Sequence, residues 1–156
     1  MPIVFNNTTP AAPTGGANVA WQFDGTNASA YVPAGTFSGA TGAFGVTVNG
    51  GTSVPATGSQ GYVQVPYAGT IASWSLLADQ SGSAQVTIKK CTYAGFPATT
   101  SIVGGSPPAL SSAQSNASSA LTGWTTSFAA GDIMEFNLDS VATCVKLFLE
   151  VQVSRS

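Results

Sequence analysis

Asp132 and Glu135, three residues apart, are the closest acidic pair in the chain and the first place to look for general acid–base chemistry. In a strand, residues three apart point to opposite faces, so the two carboxylates should not converge on one substrate atom as glycoside hydrolysis requires. They read as a turn Asp and an exposed Glu. Histidine is absent, which removes the commonest general base and the commonest metal ligand together. Asp79 and Asp139 sit among Ser, Gly and Ala and read as turn residues bonding nearby amides, since no cluster supplies the ligand count of a calcium site. Cys91 and Cys144 allow a single intramolecular pairing, and the alternation of their strands predicts that both point away from the core. Nothing in their spacing indicates zinc or a redox pair, and a cytoplasmic origin favours free thiols. Lys89-Lys90, the only basic pair, reads as a solvated strand edge. The expectation is a chain with no catalytic residue, no metal and no cofactor.

The three tryptophans could stack against sugar rings, but two fit a core better. Trp74 lies between Ile71 and Leu76-Leu77, and Trp124 follows Leu121; rings so placed bury most of their area while the indole N–H finds a partner. Trp21 lies in a segment without a core of its own. Its place is a subunit contact, with an intrachain site as the alternative.

Charge is what the composition lacks. The 156 residues include four Lys or Arg and six Asp or Glu, for a net charge of -2, where an average domain of this length carries roughly 39 charged side chains. Four basic residues cannot follow a run of phosphates or hold an anionic bilayer, so nucleic acid and membrane surfaces are excluded as expected partners. Hydrophobic residues make up 44% of the chain, yet the apolar runs are far shorter than the ~20 residues that span a bilayer. Aromatic residues make up 10%, which argues against disorder. A chain this long buries about 68–70% of its unfolded surface, enough for one core. The opening MPIVFNNTTP has neither a basic segment nor a long apolar stretch and does not read as a secretory signal.

The chain divides by texture. Residues 1–60 read as an extended Gly/Pro-rich arm with short strands, its apolar residues clustered as Ile3-Val4-Phe5, Val19, Trp21 and Phe23, Tyr31-Val32, and Phe44, Val46 and Val48. Val19, Trp21 and Phe23 alternate with Ala20 and Gln22, which puts three large apolar groups on one strand face that something must cover. The cover is either a neighbouring subunit or the first strands of a monomeric sandwich. Ile3, Val4, Phe5, Val19, Trp21, Phe23, Tyr31 and Val32 are the predicted subunit or capsid interface.

Residues 61–156 read as a β-sandwich domain. GYVQVPY, TIASWSLLAD, SAQVTIKK, IMEFNL and CVKLFLEVQV are predicted antiparallel strands, with turns at 66–69, 79–82 and 129–132. In the last of them Val145, Leu147, Leu149, Val151 and Val153 share the core face. The polar stretch between Pro97 and Leu121 reads as a long crossover loop, and the whole as an all-β, antiparallel β-sandwich of jelly-roll or Greek-key type.

Two stretches resemble structural proteins of tailed bacteriophages. Residues 8–33, TTPAAPTGGANVAWQFDGTNASAYVP, resemble an N-terminal segment of such proteins. The run from Val65-Pro66-Tyr67-Ala68-Gly69-Thr70-Ile71 through Trp74, Leu76-Leu77-Ala78-Asp79-Gln80-Ser81-Gly82, Lys90, Thr92-Tyr93-Ala94, Phe96-Pro97, Leu121-Thr122-Gly123-Trp124 and Ala130-Gly131-Asp132 to the closing strand looks like the C-terminal sandwich of phage tail, fibre and capsid-associated proteins. Lys89 and Cys91 stand where that pattern carries an aromatic and an acidic residue. The resemblance implies a non-enzymatic virion protein, assembled in the host cytoplasm. The leading reading is a capsid decoration or cement protein, a homotrimer whose arms reach over neighbouring subunits or onto the major capsid protein. The alternative is a receptor-binding fibre or spike tip that recognises a host surface glycan through the 98–120 crossover.

Overall fold

The computed structural model describes residues 39–156 together with two strand segments near the N-terminus. Those segments, β1 (Ala20–Phe23) and β2 (Ala28–Tyr31), form a two-stranded antiparallel sheet with Trp21 opposite Ala30 and Phe23 opposite Ala28. The chain divides into two compact units, Met1–Thr36 and Phe37–Ser156. Phe44, Val46 and Val48, grouped by sequence texture with the opening arm, thus lie in the second unit.

That second unit is all-β and antiparallel. Its strands are β3 (Thr41–Asn49), β4 (Gly58–Gln64), β5 (Gly69–Cys91), β6 (Thr100–Ser101), β7 (Ala109–Ser118), β8 (Ser127–Phe128), β9 (Ile133–Ala142) and β10 (Lys146–Arg155), with one short 3-10 turn at Tyr93–Gly95. They form one sheet in the order β3-β10-β5-β9-β4, with β6, β7 and β8 also paired to β5. Among the described residues no helix is long and apolar enough to cross a membrane.

The 23-residue β5 organises everything else. Its first half, to Ala78, pairs with β10, and its second half, from Ser83, pairs with β9, while β7 accompanies both. The sequence predicts two strands here, joined by a turn at Asp79-Gln80-Ser81-Gly82. The chain instead bends without reversing, because those residues bind a different turn. Asp79 Oδ1 accepts from the backbone N–H groups of Val145 and Lys146 at 3.0 and 3.1 Å. Gln80 Nε2 donates to the Thr143 carbonyl, and Thr143 Oγ1 donates to that of Ser81. The β9–β10 connection is thereby seated in the corner of β5.

How far the sheet curls follows from one aromatic contact. Phe44 of β3 lies in register with Val151 and, through it, with Trp74; Phe136 of β9 lies in register with Ile88. On a straight β5, Trp74 and Ile88 would stand about 46 Å apart at ~3.3 Å per residue. The Phe44 and Phe136 ring centroids are 6.4 Å apart. The two halves therefore fold toward one another and enclose a shared core.

Period-two alternation fills that core. Leu147, Leu149, Val151 and Val153 are almost completely buried, as the sequence predicts, while Val145, expected in the same row, precedes β10 and is only half-buried; Val86, Ile88, Phe136 and Leu138 face the row from the other half. Each such side chain contributes about 1.5–3 kcal/mol by leaving water. Phe128 meets Phe44 edge-on at 5.8 Å, and Trp74 and Trp124 are buried as expected. The Trp124 indole N–H donates to the Ser106 carbonyl at 3.0 Å.

Two further sequence expectations are corrected. The stretch between Pro97 and Leu121 is not a loop, since it contains β6 and the ten-residue β7. Its Ser, Asn and Gln side chains tolerate a strand because that strand is exposed along most of its length, which leaves no strong hydrophobic alternation to read. Cys144 does not face outward but is fully buried, because it precedes β10 and packs at the corner.

Candidate functional site

Sequence reasoning singled out the acidic pair, and the structure keeps its members apart. Asp132 closes the turn that Gly131 makes at φ +88°, accepting from the Ala129 N–H at 2.9 Å, so its turn role is as predicted. Lys90 Nζ stands 3.4 Å from its carboxylate and donates to the Ser127 carbonyl. Glu135 points to the outer face of β9 and, contrary to expectation, is buried, with only 6% of its surface exposed. Lys89 Nζ lies 3.7 Å from one of its oxygens, and Thr99 Oγ1 donates to the other. Both lysines lie on β5 between β9 and β6. They are not edge residues but partners of buried carboxylates, a role that solvation-based reasoning could not reveal.

Pairing across the strands aligns Tyr62 of β4, Glu135 of β9, Lys89 of β5 and Ser101 of β6 in one row of the outer face. The segment after β5 folds back over this row. Thr92 caps its 3-10 turn by accepting from the Gly95 N–H at 3.2 Å, and Phe96 then meets Tyr62 edge-on, with ring centroids 5.1 Å apart. Thr99 from this segment bonds Glu135, and Tyr62 is its register neighbour on β4. Cys91 and Ile133, in register with each other on the same face, are buried as well. Cys91 does point away from the inner core, but this fold-back keeps it from water.

Farther along the same face lies a polar cluster. Asp139, expected in a turn, sits within β9 and accepts from Thr87 Oγ1 and Asn137 Nδ2 at 2.6 Å each, and from Gln85 Nε2 at 3.3 Å. Asp79 likewise acts across the fold and not within a local turn. The Lys146 N–H, the largest influence, together with that of Val145 holds its carboxyl below the ordinary value. The Cys144 thiol is pushed up, first by burial and then by the Asp79 charge. Cys91 and Cys144 are both free thiols.

No protein-family model, curated protein or solved structure matches this chain. Its chemistry is read from its own residues. Among the described residues no group of three or more His, Cys, Asp or Glu stands together to hold a metal ion. Two shallow depressions lie on the outer face of the other half of the sheet. One, of about 340 Å³, is lined by Ser73, Ser75, Ser118 and Gln152, and the other, of about 190 Å³, by Thr47, Phe148 and Glu150. Neither includes Glu135.

Of the predicted interface residues, Ile3, Val4, Phe5, Val19 and Val32 lie outside the described residues, and for Trp21, Phe23 and Tyr31 only the backbone pairing is described. Tyr62, Phe96 and Thr99 were missed as candidates. A signal existed for Tyr62: Val63 and Val65 alternate inward on GYVQV, which sends Tyr62 outward. Phe96 and Thr99 sit in an irregular segment where no period applies.

Proposed function

We propose that the chain is a non-enzymatic virion structural protein, a capsid decoration or cement protein. Its curled sheet serves as a two-layered sandwich, and its opening segment serves as an arm. In this reading three copies assemble, and the arms carrying Ile3, Val4, Phe5, Val19, Trp21, Phe23, Tyr31 and Val32 reach onto neighbouring subunits or the major capsid protein.

The observation that supports the reading is that β1 and β2 hydrogen-bond to each other as a sheet of their own. They form their own two-stranded sheet, four residues per strand, in a compact unit that ends at Thr36. An isolated pair of strands is marginal in water, so a segment this rich in apolar residues gains from a larger partner surface. At ~25 cal/mol per Å², several hundred Å² of apolar contact contributes several kcal/mol before ordering costs. The scarcity of charge fits the same use, because uncharged faces enter an interface without desolvating ions. The virion context rests on the resemblance read in the sequence at residues 8–33 and from Val65 to the closing strand.

Deleting residues 1–33 and mixing the product with expanded capsids tests the proposal. Loss of attachment with the β-sheet circular dichroism retained is the expected result, and undiminished attachment overturns it. Native mass measurement of the full chain should show a trimer; a stable monomer removes the arm exchange.

A further inference from the structure

The geometry points to a binding site for a neutral sugar chain on the outer face of β4, β9 and the second half of β5, with Tyr62 and Phe96 as its aromatic wall and Asn137, Thr87 and Asp139 as its polar floor. This is independent of the cement reading, and its residues lie outside the 98–120 stretch from which a glycan contact was expected.

Three aromatic side chains are exposed around one corner of the fold. Tyr62 is 47% exposed, Phe96 46%, and Tyr93, in the same 3-10 turn that presents Phe96, 72%. Tyr62 and Phe96 meet edge to face and still keep nearly half of their surface in water. The C–H face of a pyranose is the kind of surface that packs on such rings while its hydroxyls stay free for hydrogen bonds.

The neighbouring polar groups suit those hydroxyls. Asn137 follows Glu135 by two residues on the same strand face, about 7 Å away. It belongs to the cluster in which Asp139 holds Thr87, Asn137 and Gln85 in place. These side chains combine donors and acceptors in an arrangement already fixed by mutual bonds, which limits the ordering cost of binding. Charge narrows the ligand further. Lys89 is matched by Glu135, and Asp139 has no cation among the contacts that fix it, so the face offers nothing to neutralise an anionic ligand. A neutral oligosaccharide fits; a phosphorylated or sulfated one does not.

The test uses the full chain and three neutral probes, cellohexaose, maltohexaose and chitohexaose, titrated by calorimetry and by amide chemical-shift mapping. At least one should bind with a Kd of about 1 mM or tighter, with shifts centred on Tyr62, Phe96 and Asn137. Tyr62→Ala and Phe96→Ala should each weaken binding at least about tenfold, Tyr62→Phe should retain it, and Phe148→Ser on the other half of the sheet should leave it unchanged. Absence of binding by all three probes at about 10 mM overturns the inference. So does binding undiminished in the Tyr62→Ala/Phe96→Ala double variant, or shifts of the wild-type chain centred elsewhere. Because the shift map needs no variant, the outcome stands even if a substitution impairs folding.

Discussion

Gly82 and Cys144 pack so closely that a Cβ on Gly82 would stand 2.5 Å from the Cys144 Sγ and equally near the Ala142 carbonyl oxygen. This contact closes the corner where β5 leaves β10 and takes up β9, and two of the three atoms nearest the missing side chain lie on the β9–β10 turn. Replacing Gly82 by Ala forces backbone apart at a point where both strand partners change. The expected loss is about 1–3 kcal/mol, the usual cost of overpacking, measured by urea unfolding. An unchanged midpoint would show that the corner yields freely.

The same contact sets the reactivity of Cys144. With its thiol buried and its pKa raised, alkylation in native buffer should be far slower than in the unfolded chain and should accelerate in Gly82→Ala. Mass spectrometry after timed iodoacetamide treatment reads this directly. Rapid native labelling at Cys144 would contradict its burial.

Inner and outer faces of the sheet should answer oppositely to truncation. Phe136 is fully buried and meets Phe44 across the curl, so Phe136→Ala should cost about 3–5 kcal/mol. Phe148 is 40% exposed on the outer face of β10, and Phe148→Ser should fall within about 0.5 kcal/mol of the parent chain. Equal effects at the two positions would mean that the curl does not enclose Phe136.

The Lys89–Glu135 pair should be asymmetric. Glu135 keeps only 8% of its side chain in water against 29% for Lys89. Removing the lysine strands a buried carboxylate, so Lys89→Met should cost about 1–3 kcal/mol. Glu135→Gln keeps an acceptor for Thr99 and frees a lysine that can reach solvent, with an expected cost of no more than about 1 kcal/mol. Chemical denaturation of both variants and of the double variant separates the pair from its neighbours.

Asp79 makes stability depend on pH. Its folded pKa is depressed by the Lys146 and Val145 amides, so its contribution is fully present above the unfolded value and is lost as pH falls through the folded one. Thermal melts should therefore show Asp79→Asn flattening the decline below about pH 4 relative to the parent chain. Because the carboxylate is exposed, the difference should be small and should shrink in high salt. A parallel decline in both proteins would mean that the two amide contacts do not favour the ionised form.

Much of this protein follows from periods that can be read along a line. The all-β class, the inward row Leu147, Leu149, Val151 and Val153, the burial of Trp74 and Trp124, and the turn at 129–132 all reflect alternation or turn chemistry, which are properties of neighbouring residues; at 66–69 the chain only bends at Pro66-Tyr67 before Gly69 opens β5. What tertiary structure alone decided depends on residues far apart in the chain. The stretch 79–82 has turn composition and forms a corner, because Asp79 and Gln80 bind backbone more than sixty residues away. Glu135 has the composition of an exposed strand residue and is buried, with Thr99 returning to it from an irregular segment. The polar run at 109–118 becomes a strand because β5 offers it a partner along both halves. A local pattern specifies which face of a strand is apolar; which other strand covers that face is settled only when the whole sheet closes.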